Sequence, residues 1–128
     1  MSAPPVETIR INETGKRNLN KLKRRTKIQN WNILCRWALC ISLADESSPQ
    51  KINKGDWSNV EMSWATFGGN DADLYTALVH ARCVADGFEL EGSEVAEQFR
   101  LHLHRGLTKL AGMEDTKSLA GLLKQVLT

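Results

Sequence analysis

The sequence contains no apolar run long enough to cross a membrane. Its most apolar segment, residues 31–44, is interrupted by Asn32, Arg36 and Ser42, whereas a transmembrane helix needs about 20 predominantly apolar residues. The N-terminus also lacks the basic start and the apolar block of a secretory signal peptide. These absences predict a cytoplasmic protein without a membrane partner.

Catalytic motifs are also missing. The sequence has no nucleophile elbow, no HExxH zinc motif, no Walker-type phosphate loop and no dinucleotide-binding glycine motif. His102 and His104 lie two residues apart on a predicted helix and would point about 200° apart, so they cannot share one metal ion. We expect the histidines at the surface or in an interface. We predict no catalytic residue, no metal site and no cofactor, although a nuclease site assembled from distant Asp, Glu and Lys residues would leave no local motif.

Cysteine is scarce, with three residues and no CxxC pair. Cys35 and Cys40 lie five residues apart on a predicted helix, which is too staggered for one ligand-bearing face. An odd number of cysteines in a reducing compartment indicates free thiols, and free cysteine is among the most frequently buried residue types. We therefore expect Cys35, Cys40 and Cys83 to be buried thiols.

The length and composition predict one compact domain. The chain has 128 residues, of which 41% are hydrophobic, and a domain usually holds about 100 to 200 residues. We assign residues 1–128 to a single helical domain. Residues 1–5 form a loose N-terminus, and residues 45–56 form an internal polar loop that contains Pro49 and Gly55.

The hydrophobic pattern predicts a mainly α-helical fold with one short strand at its start. Apolar and polar residues alternate over residues 8–12, as in a half-buried strand. The type of residues 57–70 stays open between a strand, a loop and an interface arm. Capping residues and helical spacing place five helices: from a cap at Asn12 or Thr14 to about Thr26, from a cap at Asn30 to Ala44, from Asn70 or Asp71 to about Asp86, from a cap at Ser93 to about Ala111, and from Asp115 or Thr116 onward.

Two of these helices have marked apolar character. In the third helix, Leu74, Leu78, Ala81 and Ala85 share one face. In the second helix, eleven of the fourteen residues 31–44 are apolar, too many for a single stripe. We expect most of the second helix to be buried in the domain or in a subunit interface, which favours a homo-oligomer.

The charge is divided unequally along the chain. Residues 1–27 carry eight basic and two acidic side chains, whereas the remaining residues carry nine basic and thirteen acidic ones. The predicted first helix has no acidic residue after its start, and like charges four residues apart destabilise a helix. Contact with phosphates would offset that cost, because it releases condensed counterions. The predicted DNA-binding residues are Lys16, Arg17, Lys21, Lys23, Arg24, Arg25 and Lys27.

Other interpretations of the basic helix stay open. An acidic protein partner or a simple gain in solubility would also explain its charge. The order of strand, basic helix and second helix is similar to a ribbon-helix-helix start, in which two protomers pair their strands in the DNA major groove. In that arrangement Thr8, Arg10 and Asn12 would face DNA, while Ile9 and Ile11 would face the core. Trp31, next to the basic run, could stack on a base, although burial is the default for tryptophan.

Two blocks of the sequence, LKRRTKIQNWNILCRWALCISL and SNVEMSWATFGG, resemble the DndE family of DNA sulfur-modification proteins. The resemblance implies a bacterial system that replaces a non-bridging phosphate oxygen of DNA with sulfur, in which other proteins supply the enzymes. It also implies a small helical accessory protein, a homotetramer, that binds nicked duplex DNA through a lysine-rich surface. On this chain that surface corresponds to Lys16, Lys21, Lys23 and Lys27, and no catalytic residue is carried over.

The sequence therefore predicts a non-catalytic, homo-oligomeric DNA-binding subunit of the sulfur-modification system, with DNA and the other modification proteins as its partners. Two alternatives remain. One is an endonuclease that nicks DNA itself, and the other is a module that docks on the modification ATPase. A sulfur relay through the cysteines is disfavoured, because a relay thiol should be accessible and have a lowered pKa.

Overall fold

The computed structural model describes residues 3–52, 56–91 and 93–113. These residues form a mainly helical fold that starts with a short strand, as predicted, and this strand belongs to a small two-stranded sheet. The elements are β1 (Thr8–Asn12), α1 (Glu13–Thr26), α2 (Trp31–Ala44), β2 (Trp57–Ser63), α3 (Trp64–Gly68), a short 3-10 turn (Gly69–Asp71), α4 (Ala72–Ala85) and α5 (Glu94–Gly112). The predicted last helix lies outside the described residues. No helix in the described ranges has the length and apolar character needed to span a membrane.

The predicted strand at the start of the chain is confirmed, and its partner lies in the same chain. β1 pairs with β2 in antiparallel fashion, with Ile9 opposite Met62 and a register shift between Arg10 and Asn12. Residues 57–63, whose type was open, therefore form a strand. The ribbon of two protomers is not the arrangement found, because β2 of the same chain pairs with β1. Ile9 and Ile11 are buried as expected.

The first helix begins after Asn12, one of the two predicted caps, and ends at Thr26, close to the predicted end. The Asn12 side chain accepts a hydrogen bond from the Gly15 amide at 2.7 Å, which satisfies one free donor at the helix start. Gly15, Leu19 and Leu22 are the buried residues of α1. At the other end, Lys27 adopts a left-handed conformation with φ of 64° and its amide bonds to the Lys23 carbonyl, which ends the helix.

Helices α2 and α5 cross in close contact at the centre of the fold. A Cβ atom built on Gly106 would lie 1.8 Å from the Ala38 carbonyl oxygen, so only glycine permits this approach of the two backbones. Leu34 and Leu39 of α2 and residues such as Leu103 of α5 are fully buried around the crossing. The second helix thus supplies much of the domain core.

An aromatic cluster joins α3 to the ends of α4 and α5. The ring centroids of Trp64 and Phe99 lie 5.1 Å apart in an edge-on arrangement, and those of Phe67 and Tyr75 lie 5.4 Å apart. Edge-to-face packing of this kind stabilises aromatic cores beyond the burial of their area. The Trp64 indole also donates a hydrogen bond to the Thr76 hydroxyl at 3.0 Å. This cluster fixes which side of α4 faces the core.

The apolar face predicted for the third helix points outward in the structure. Leu74 and Leu78 are 54% and 40% exposed, and Ala81 and Ala85 are exposed as well. The buried side of α4 consists instead of Tyr75, Thr76, Val79 and Cys83. Tyr75 packs in the aromatic cluster, and the Trp64 indole donates a hydrogen bond to the Thr76 hydroxyl. The face of α4 that packs against the core therefore includes a polar residue.

Candidate nucleic-acid interface

Helix α1 presents its basic residues on the side opposite its buried line. Because Gly15, Leu19 and Leu22 face the core, Arg17, Lys21 and Arg24 lie on the outer surface, where Arg17 and Arg24 are exposed and Lys21 is half-buried. Among the acidic residues that the structure describes, none forms an ion pair with any of the seven basic residues of this segment. The outer surface of α1 therefore keeps its positive charge.

The helix dipole explains only part of this charge. Lys23, Arg24 and Arg25 lie in the last turn of α1, where positive charge is stabilised by the negative end of the dipole. Lys16 and Arg17 lie nearer to the N-terminal end, where the dipole disfavours positive charge. An anion outside the chain would stabilise these residues.

Two lysines of the predicted set have partners on neighbouring elements. The Lys16 ammonium donates to the Asn59 side chain of β2 at 2.8 Å. The Lys23 ammonium lies 4.3 Å from the centre of the Trp31 ring at the start of α2, a favourable cation–π distance. Both lysines remain half-buried at the surface, so they border the outer surface of α1 but are held in defined positions.

Arg25 has a structural role that the sequence did not reveal. Its guanidinium donates to the carbonyl oxygens of Ala111 and Met113 at 3.0 and 2.8 Å. These carbonyls belong to the C-terminal end of α5, where backbone acceptors lack partners within the helix. Arg25 thereby joins the end of α1 to the end of α5, and its removal would affect folding as well as any ligand.

The polar residues of β1 are divided between surface and core. Thr8 and Arg10 are exposed, as the ribbon interpretation expected, and the Arg10 guanidinium lies 5.6 Å from the Trp57 ring centre. Asn12 is buried instead, because its side chain caps α1 and its amide donates to the His104 ring at 3.1 Å. Asn12 is therefore excluded as a surface contact.

His102 and His104 are buried within the fold, whereas the sequence predicted histidines at the surface or in an interface. His104 Nδ1 lies 2.8 Å from the Arg100 carbonyl oxygen and carries the proton, so Nε2 accepts from the Asn12 amide. Burial lowers the pKa of His104. This neutral ring joins β1 and α1 to α5. The sequence signal that was missed is helical spacing: His104 is three residues before the buried Leu107 and lies on the same side of α5.

His102 belongs to a polar network between α2 and α5. Its Nδ1 lies 2.8 Å from the Ser42 hydroxyl, and Arg105 donates to the same hydroxyl at 2.8 Å. Ser42 therefore donates to Nδ1 of a neutral ring. Burial, followed by the charges of Arg82 and Arg105, lowers the pKa of His102 to about 4. Within the described ranges, Nε2 of this ring has no hydrogen-bond partner.

A second group of cations surrounds the start of the internal loop. Arg82 donates to the carbonyl oxygens of Leu43 and Asp45 at 2.9 and 2.8 Å, and Arg105 donates to that of Ser42 at 2.7 Å. Lys109 pairs with Asp45, and this hydrogen bond, with others from Ser47, holds the pKa of the Asp45 carboxyl well below its usual range. These cations are occupied by the chain itself.

The three thiols lack the features of a sulfur carrier. Cys35 and Cys83 are buried, and Cys40 is half-buried. Burial raises the pKa of all three thiols, to about 12 for Cys35, whereas a reactive thiol has a lowered pKa. The described residues also contain no group of three or more His, Cys, Asp or Glu side chains that could hold a metal ion.

Comparison with known families connects this architecture to a process. The family model for the DNA sulphur modification protein DndE matches residues 8–118. The chain belongs to the DndE family. This family is an accessory component of the DNA sulfur-modification system, so the chain has a role in DNA sulfur modification. A search of curated proteins found no match. The DndE match spans both β1 with α1 and the core helices, so it includes the charged surface and its scaffold.

Proposed function

We propose that this DndE protein is a non-catalytic DNA-binding subunit that places helix α1 along the phosphate backbone of duplex DNA at a nick. The observation that carries the proposal is the outer surface of α1, where Arg17, Lys21 and Arg24 have no acidic partner in the described chain. Because the chain belongs to a DNA-modification family, we take the phosphate backbone of DNA as the anion that this surface binds.

The dimensions of α1 suit contact with several phosphates. Its fourteen residues give a length of about 21 Å, at about 1.5 Å per residue. Arg17, Lys21 and Arg24 follow one another at about one-turn intervals, so their charges form a row along the axis. Such a row neutralises phosphates and releases counterions without reading the base sequence. The expected contact is therefore strong at low salt and independent of sequence.

Self-association would multiply this contact. The outward side of α4 exposes Leu74 and Leu78, together with Val84 at 59%, and clustered exposed apolar side chains are typical of protein interfaces. We propose a homo-oligomer, a homotetramer, that covers this face. Several copies of α1 could then bind one DNA together. The more acidic remainder of the chain would face the other sulfur-modification proteins in the cytoplasm.

A charge-reversal experiment tests the proposal. The double variant Lys21→Glu and Arg24→Glu should bind both intact and nicked duplex at least about 100-fold more weakly than wild type at low salt, because it removes two cations and adds two repulsive charges. Binding would be measured by fluorescence anisotropy. The helical circular dichroism signal should stay unchanged, because neither side chain has a hydrogen-bond partner in the described ranges.

The matched control makes the same change in net charge elsewhere. The double variant Lys51→Glu and Arg100→Glu should retain most of the affinity. Equal losses of DNA affinity in the two double variants would show that the overall net charge, and not the position of α1, determines binding. That result would contradict the proposal. The DNA would also be examined after binding with Mg²⁺ present, since new cuts by the purified protein would assign an endonuclease instead.

A further inference from the structure

A groove of about 680 Å³ lies beside the basic helix. Three elements form its walls. They contribute Lys16 and Asn20 of α1, Trp31 and Asn32 at the start of α2, and Asn59 and Met62 of β2. The groove has the size of a small-molecule site, since such pockets usually enclose about 300–1,000 Å³. It opens next to the surface on which we place the phosphate backbone.

The walls of this groove are rich in side-chain amides with free hydrogen-bonding capacity. The Asn59 carbonyl oxygen accepts from Lys16 at 2.8 Å, which leaves its NH₂ group available. The Asn32 NH₂ group donates to the Thr66 carbonyl at 3.2 Å, which leaves its oxygen available. Asn20 makes no side-chain hydrogen bond within the described ranges. Each amide carries both a donor and an acceptor, the combination that pairs with the edges of nucleobases.

The groove also offers an apolar surface for a flat ligand and a charge for its phosphate. The rings of Trp31 and the side chain of Met62 supply apolar wall, and aromatic side chains are the usual platforms for unstacked bases. Lys16 lines the groove, and Lys23 lies 4.3 Å from the Trp31 ring centre. Among the described residues that line this wall, the one carboxylate is Glu61, which lies 4.0 Å from Arg10. This arginine reduces the repulsion between Glu61 and a phosphate.

We infer that this groove binds a single nucleobase that has left the base stack of the DNA held on α1. The inference rests on the proposed function and adds the ligand class of a second site. Amides at the groove wall bond to the edge of the base, Trp31 provides the apolar contact, and Lys16 meets the adjoining phosphate. The intact double helix offers no such base, so the groove gives a preference for DNA with an unpaired nucleotide.

The test compares two DNA duplexes of equal length, one fully paired and one with a single bulged 2-aminopurine. Wild type should bind the bulged duplex about tenfold more tightly, the effect expected from stacking of one base, and should change the 2-aminopurine fluorescence. Asn20→Ala and Asn59→Ala should each reduce this preference by about fivefold, as expected for loss of contacts to a base edge. Trp31→Leu should remove it, with the helical signal measured to confirm folding.

Asn18→Ala is the matched control, because Asn18 lies on the same helix but bonds to Thr108 of α5 at 3.5 Å, outside the groove. It should leave the preference unchanged. Equal wild-type affinity for the two duplexes, or a preference that persists in the Asn20, Asn59 and Trp31 variants, would overturn the inference while the proposed function stands. Absence of binding to either duplex would overturn both.

Discussion

Two groups of cations in this protein have opposite surroundings. Around the start of the internal loop, Arg82 and Arg105 donate to backbone carbonyls, and Lys109 pairs with Asp45. On the outer surface of α1, Lys21 and Arg24 have no acidic partner in the described chain. The first group neutralises acceptors that folding would otherwise leave unpaired, whereas the second leaves its charge available. Local partners, and not charge density, separate the structural cations from the cations that are available to a ligand.

Helix α1 itself contains cations of both groups, since Arg25 has a structural role. It is a neighbour of Arg24 in sequence, yet it donates to the Ala111 and Met113 carbonyls at the end of α5. A charge count along the chain assigns both arginines to one function. The structure divides them because one residue step rotates a side chain by about 100° around the helix.

The structural group depends on the close crossing of α2 and α5, and Gly106→Ala should break that crossing. A Cβ atom at this position would lie 1.8 and 2.3 Å from the carbonyl oxygen and carbon of Ala38. The backbones must separate, so we expect a loss of about 3 kcal/mol or more in the free energy of unfolding. Urea unfolding followed by circular dichroism measures it. Gly112→Ala in the same helix meets no atom within 4 Å and should change stability by less than about 1 kcal/mol; a similar loss in both would contradict the crossing.

Arg105→Ala and Arg24→Ala sharpen the comparison directly. Arg105 donates to the Ser42 hydroxyl and carbonyl at 2.8 and 2.7 Å, so its removal should reduce the free energy of unfolding by about 2 kcal/mol. Arg24→Ala should change it by less than about 0.5 kcal/mol, as expected at an exposed position. DNA affinity should show the reverse order, with the larger loss in Arg24→Ala. Stability losses of equal size would remove the distinction between the two groups.

The neutral ring of His102 predicts a smaller, pH-dependent effect in the structural group. Its pKa is about 4 in the folded chain and 6.5 when unperturbed, so between these values only the unfolded chain takes up the proton. Stability should therefore fall as the pH falls through this window and should not depend on this ring above it. We expect the melting temperature to drop by about 5 °C between pH 7 and pH 5. His102→Leu should show a smaller drop, although His104 contributes in the same direction; equal drops would contradict a buried neutral His102.

Local patterns in the sequence predicted the elements well. The alternation of apolar and polar residues predicted β1. The capping residues Asn12 and Asn30 predicted the starts of α1 and α2. These features depend on neighbours within a few residues, which the sequence displays. The same patterns predicted that Arg17, Lys21 and Arg24 lie on an outer surface, because the buried line of Gly15, Leu19 and Leu22 follows helical spacing.

Features that depend on distant partners were predicted less well. The sequence did not indicate which face of α4 packs inward, because the aromatic cluster that selects Tyr75 and Thr76 forms only in the folded chain. His104 was predicted at the surface or in an interface, whereas its ring is buried and bonds to an amide 92 residues away. The groove at Trp31 likewise combines three separate elements, so no single segment of the sequence indicated it.

The salt dependence of duplex binding tests the central claim most directly. If α1 contacts phosphates, the logarithm of the affinity should fall steeply and linearly with the logarithm of the salt concentration, by about 0.9 for each phosphate neutralised. The slope of the Lys21→Glu and Arg24→Glu variant should be smaller by about 1.8 if each side chain neutralises one phosphate. Two results would show that the outer surface of α1 does not bind the DNA backbone. One is an affinity that does not change with salt concentration, and the other is a slope that is the same for this variant and for wild type.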